Sequence, residues 1–142
     1  MKPIRIMAAS GMLGYGFTEE AFKNGLAMGL DLIACDAGSA DPGPYYLGSG
    51  TAFVSRLAVK RDLGLMVKGG VEAGVPVFIG SAGGSGSNPQ VDWTLDILRE
   101  ICEEQSITPK VVVLRSEISK EKLKSKIKND DVVFCFNYRY GR

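Results

Sequence analysis

The stretch Val75-Pro76-Val77-Phe78-Ile79-Gly80-Ser81-Ala82-Gly83-Gly84-Ser85-Gly86-Ser87-Asn88-Pro89 decides the fold of this chain. Val75 to Ile79 is a short, continuously apolar and β-branched run, the pattern of a fully buried strand. Gly80 to Ser87 then supplies four glycines and three hydroxyls. Asn88-Pro89 reads as a helix start, an N-cap amide followed by proline at the first helical position. Strand, glycine-rich loop and capped helix in that order are the parts of a βαβ unit.

The same grammar extends in both directions. Ile4-Arg5-Ile6-Met7-Ala8-Ala9 reads as a first strand, and Thr18 caps a helix with Glu19 and Glu20 in its first turn that ends near Gly29. Leu30 to Cys35 is the second strand, and Thr51 to about Val67 the second helix, weakened by Gly64. Beyond the central stretch, Val91, Leu95, Leu98, Ile101 and Cys102 form a helical apolar stripe. Lys110 to Leu114 reads as a fourth strand, Ser119 to Lys128 as a basic helix, and Val132 to Phe136 as a fifth strand. Alternation of this kind predicts an α/β fold: an open, mostly parallel sheet of about five strands with helices on both faces, a flavodoxin/Rossmann-like three-layer arrangement.

One domain accounts for all 142 residues, a length that buries enough surface to fold without disulfides or a structural metal. Only Asn137 to Arg142 follow the fifth strand, too few for a closing helix. The chain is therefore expected to be the amino-terminal domain, or a truncated form, of a longer enzyme. Its carboxyl-terminal edge strand is expected to meet a second copy or a partner domain.

Composition removes several function classes. There is no histidine, so no Ser-His-Asp or Cys-His arrangement and no imidazole metal site can form within one chain. The net charge is +1, which gives no general attraction to nucleic acid or to an acidic membrane. The five lysines from Lys120 to Lys128 are spaced by two, which spreads them around a helix as a solvated surface. Cys35, Cys102 and Cys135 are odd in number and far apart, as expected of reduced core thiols in a cytoplasmic protein. No signal-peptide or membrane-spanning stretch is seen.

The glycines carry the positive signal. Of 18, 11 lie in three clusters, Gly11–Gly16, Gly38–Gly50 and Gly80–Gly86, each directly after one of the first three strands. In a parallel sheet these loops emerge at one edge, the carboxyl edge, where α/β proteins bind ligands. The third loop suits a phosphate or carboxylate, through Ser81, Gly83, Gly84, Ser85, Ser87 and Asn88 at a helix amino terminus. It is neither a Walker A loop nor a Gly-x-Gly-x-x-Gly fingerprint. In the first loop, Ser10 and Gly11 are candidate contacts. In the second, Asp36 and Asp41 form a candidate acid/base pair, with Ser39 between them as a ligand contact. No cofactor is evident, although two carboxylates with water could hold Mg²⁺. The competing reading is that Asp36 caps its own loop and Asp41 begins an Asx-type turn. Arg56 and Lys60, four residues apart, either neutralise an anionic ligand or form a solvated face.

Ile4 to Gly11, Leu32 to Pro42 and Gly80-Ser81-Ala82-Gly83-Gly84 together resemble the amino-terminal part of the acyclic terpene utilisation (AtuA-type) family. The resemblance covers about residues 3–136. Members of that family are several times longer and occur in bacterial catabolic settings. The resemblance implies an enzyme of small-acid or acyl metabolism, with the three loops as its site. Two functions follow as expectations. The first is a substrate-binding domain of a lyase-, hydratase- or isomerase-type enzyme that takes a small anionic molecule: a carboxylate, a phosphate or an acyl-CoA. The second is a non-catalytic, flavodoxin-like ligand-binding or assembly module.

Overall fold

The computed structural model describes residues 3–38 and 44–131. Three parallel strands form one sheet in the order β1 (Ile6–Ala8), β2 (Leu32–Asp36), β3 (Val77–Gly80). Between them run α1 (Glu19–Ala27), a short α2 (Pro44–Ser49) and α3 (Arg56–Ala73). A 3-10 turn at Ala82–Gly84, α4 (Asn88–Gln105) and α5 (Lys120–Lys128) follow. The parallel α/β reading thus holds, and the register sets Ile33 beside Val77 and Asp36 beside Gly80. No helix among the described residues is long and apolar enough to cross a membrane.

Local chemistry sets the helix boundaries. Thr18 Oγ1 accepts the Ala21 N–H at 3.2 Å and starts α1 as expected. Ser119 does the same for α5 through the Lys122 N–H at 3.2 Å. The second long helix is displaced from its expected span of Thr51 to Val67: Ser55 caps it through the Ala58 N–H, and Gly74, in the left-handed region at φ 68°, ends it. Gly64 did not shorten it, because here the glycines serve packing. A Cβ on Gly69 would lie 2.7 Å from the Phe22 ring, and one on Gly70 would run into Val77. α4 begins one residue earlier than expected, with Ser87 as N-cap and Asn88 as its first helical residue.

The layering differs from the expectation of helices on both faces. Met7, Ile33, Cys35, Val77 and Ile79 point to one side and pack with Phe22 of α1, Leu63 and Met66 of α3, and Ile97 and Ile101 of α4. Successive strand residues alternate faces, so Ile6, Ala8, Leu32, Ala34 and Phe78 share the other side. Ile6 and Phe78 are each 59% exposed there. Strands laid side by side in chain order, with crossovers of one hand, place their helices on one face. Covering the second face requires the strand order to reverse, and among the described residues it does not.

The sheet has three strands among the described residues. Lys110–Leu114, expected as a fourth, forms no ladder and lies largely exposed. The fifth, Val132–Phe136, lies outside the described residues, as does Cys135. α5 is basic and exposed along its length, as its lysine spacing implied.

Replacing Gly70 with Ala would press a methyl group against Val77 and bring it 3.1 Å from the Val75 carbonyl oxygen. The expected cost is ~1–3 kcal/mol of overpacking, outweighing the gain in helix propensity. Urea unfolding followed by circular dichroism measures it.

Candidate functional site

The described parts of the three glycine-rich loops leave the sheet at its carboxyl edge, and their internal bonding decides what each can offer. The first loop is held by Asp62 of α3, a carboxylate only 1% exposed. Its Oδ2 accepts the N–H groups of Gly14 at 3.0 Å and Gly16 at 2.9 Å. Its Oδ1 accepts Arg61 Nη1 at 2.7 Å, and Arg61 Nη2 donates to the Phe17 carbonyl. Ser10 is spent locally: its hydroxyl donates to the Met12 carbonyl at 2.9 Å. Gly11 is exposed, with open space around it. This loop is therefore a braced turn, and of its two expected contacts only Gly11 presents a free surface.

The third loop is built around Gln90, which is completely buried. Its Oε1 accepts both the N–H and the hydroxyl of Ser85. Its Nε2 donates to the carbonyls of Tyr46 at 3.2 Å and Thr51 at 2.9 Å. One amide thus fills all four of its hydrogen-bonding positions and ties α2 and the segment after it to the third loop. Gly83 passes directly over this residue at φ 76°, where a Cβ would lie 2.5 Å from Gln90 Cβ. Ser85, expected as a ligand contact, is consequently a framework residue. The N–H groups of Gly84 and Gly86 close turns onto the carbonyls of Ser81 and Ala82.

The start of α4 is also engaged. The Asn88 N–H donates to Glu117 Oε1 at 3.0 Å, and Asn88 Nδ2 donates to Glu117 Oε2 at 2.7 Å. Arg115 reaches Asn88 Oδ1 at 3.1 Å and pairs with Asp92. That guanidinium holds the Asp92 carboxyl below its usual range. The place expected to receive a ligand's anion through Asn88 thus holds a carboxylate of the chain itself. Ser87 occupies the N-cap position, but its side chain makes no cap hydrogen bond and finds no other partner among the described residues; its hydroxyl oxygen is buried.

Asp36 and Ser81 remain, and the structure brings them together. The register pairs Asp36 with Gly80, next to Ser81. Gly38 lies between the two side chains, where a Cβ would come 2.6 Å from Ser81 Cβ. Asp36 Oδ1 accepts the Gly38 N–H at 2.9 Å, so the carboxylate does cap its own loop while staying exposed. Ser81 is exposed at φ 48°, and its hydroxyl makes no hydrogen bond among the described residues. Asp41 and Ser39 lie outside the described residues. No cluster of three metal-ligating side chains forms among the described ones.

Arg56 and Lys60 point elsewhere. Arg56 forms a two-pronged pair with Glu100 at 2.8 Å, and Lys60 bonds Glu100 at 3.1 Å and Glu104 at 2.6 Å. They join α3 to α4 and leave the ligand edge. Cys35 is buried beneath the first two loops, and burial pushes its thiol up, in keeping with an inert core residue. Tyr46 stacks edge-on with Tyr45 and with Phe53, both at 5.2 Å.

Asp62, Gln90, Arg115 and Glu117 escaped the sequence reading. Asp62 left a signal: it falls on the buried face of α3 with Val59, Leu63 and Met66, where a charge demands a partner. Gln90 left a weaker one, one turn before Thr94 on the buried side of α4. No family model, curated protein or solved structure matches the chain. The resemblance to the acyclic terpene utilisation family therefore rests on the quoted residues alone.

Gln90→Leu should cost about 2–3 kcal/mol by leaving Ser85 and the Tyr46 and Thr51 carbonyls unpaired, measured by chemical unfolding. A second expectation concerns acid. Arg56 and Lys60 lower the Glu100 carboxyl from 4.5 to about 2. A pKa depressed in the folded state contributes stability that is present above 4.5 and lost as pH falls through about 2. The difference in unfolding midpoint between wild type and Glu100→Gln should therefore shrink between pH 5 and pH 2, to be followed by thermal melts across that range.

Proposed function

We propose that this chain is the substrate-binding domain of an enzyme of small-acid or acyl metabolism, of lyase, hydratase or isomerase type. Its ligand is held where Asp36 and Ser81 meet. The observation that carries the reading is that pair: a carboxylate and a hydroxyl uncommitted among the described residues, exposed side by side at the carboxyl edge of a parallel sheet. Ser81 donates to an oxygen of the bound carboxylate, phosphate or acyl group. Asp36 keeps one oxygen on Gly38 and uses the other to move a proton, or to hold Mg²⁺ against the ligand's negative charge. The likeness of the three loops to the acyclic terpene utilisation family supports the same assignment. Cysteines without a pairing pattern fit a reducing, cytoplasmic setting.

A second reading, a non-catalytic assembly module, is favoured by the apolar outer sheet face at Ile6 and Phe78. The two separate in one experiment. Organic acids, sugar phosphates and acyl-CoAs are screened by thermal shift with and without Mg²⁺, and hits are assayed for turnover. Stabilisation lost in both Ser81→Ala and Asp36→Asn supports the enzyme reading. Stabilisation unchanged in both removes it, and binding without turnover in the wild type points to the module.

A further inference from the structure

Between the outer edge of β3 and the segment Pro109–Ser116 lies a cleft of about 560 Å³. That volume falls in the range of small-molecule sites, ~300–1,000 Å³. Its walls are more apolar than polar, with Val71, Val77, Ile79, Leu98, Val111 and Val113 beside Thr94 and Lys110. One end is polar, where Ser81 and Ser116 line it. Asp36 is not part of its lining. The segment that forms its outer wall is a strap: it faces β3 without any ladder, and Leu114, which also lines the cleft, is 87% exposed. Among the described residues, the hydrogen bonds tying residues 109–118 to the body are those of Arg115 and Glu117 to Asn88 and Asp92.

We propose that this cleft is a ligand site for a small molecule with an apolar body and a hydrogen-bonding head, and that Pro109–Glu117 is its lid, latched by Arg115 and Glu117. The head lies between Ser81 and Ser116, and the body lies along Val77, Ile79 and Leu98. A lid held by packing would bury its side chains; this one is pinned at its end by polar bonds among exposed groups, which water and salt weaken. Opening exchanges those bonds for hydration and leaves the core cluster untouched, since none of the strap's residues belongs to it. The site stands apart from the proposed Asp36 function except for sharing Ser81.

The probe is 1-anilinonaphthalene-8-sulfonate, which has an apolar body and an acidic head, followed by its fluorescence at equilibrium and in stopped flow. Glu117→Ala and Arg115→Ala should each raise the association rate about tenfold by releasing the latch. Val71→Trp, which fills the cleft from its rim, should weaken binding at least tenfold, and Asp36→Asn should leave it unchanged. Unchanged association rates in both latch variants overturn the lid. Binding insensitive to Val71→Trp but lost in Phe78→Ser overturns the site, placing the probe on the outer sheet face. Sensitivity to Val71→Trp together with no effect of Ser81→Ala or Asp36→Asn on the organic-acid thermal shifts keeps the cleft while removing the Asp36 reading.

Discussion

The carboxyl edge of this protein depends on the amide of Gln90. Sealed from water at the start of α4, it must satisfy two donors and two acceptor positions inside the protein, because an unpaired buried amide costs ~1–3 kcal/mol. The partners it finds come from three places in the chain: Ser85 in the third loop, Tyr46 in α2 and Thr51 after it. That requirement draws the third loop down onto α4 and pulls the second connection over it. It also explains Gly83, since any side chain there would collide with Gln90 itself. Asp62 acts in parallel on the first loop, with a charge in place of an amide. Two buried polar side chains, each on a long helix, thereby convert flexible glycine-rich segments into fixed ones.

Bracing of this kind changes what the glycines mean. A glycine-rich loop attracts an anion when its N–H groups point outward and unpaired. Here the N–H groups of Gly14, Gly16, Gly38, Gly84 and Gly86 all have partners within the chain. What the loops present to a ligand is accordingly a small set of side chains on a rigid frame, Asp36 and Ser81 foremost. Under the proposed function, groups preorganised in this way would cost little to order on binding.

The strand–loop–helix alternation was legible in the residues because it depends on local pattern. The runs at Ile6, Leu32 and Val77, the Thr18 and Ser119 caps and the common edge of the loops follow from apolar runs, cap chemistry and chain order. The displaced α3 was harder, since Gly64, Gly69 and Gly70 look like helix breakers until Ile101, Phe22 and Val77 are seen against them. Helix propensity lost there is offset by close packing. The one-sided layering was hidden for a different reason: strand order is a non-local property, and the same alternation serves either winding. The placement of Asp36 and Ser81 at neighbouring strand ends was readable from the sequence. The roles of Ser85, Asn88, Arg56 and Lys60 were not, because each is decided by a partner some distance away in the sequence or on another element: Gln90, Glu117, Glu100 and Glu104.

The one-sided sheet and the unladdered strap are two consequences of one geometry. With helices gathered on a single face, the core needs only the inward residues of three strands, and Ile97 and Ile101 of α4 complete it. Among the described residues that core is built without a fourth strand, and Lys110–Leu114 is positioned from its far end, where Arg115 and Glu117 grip α4. An edge strand and an apolar face left open would normally be liabilities for association. In this arrangement the strap stands over the β3 edge at a distance, which shields the edge from other chains while leaving room for a small molecule beneath. The outer face at Ile6 and Phe78 has no such cover among the described residues. It is the surface on which a further layer, from this chain or another, would lower the free energy most.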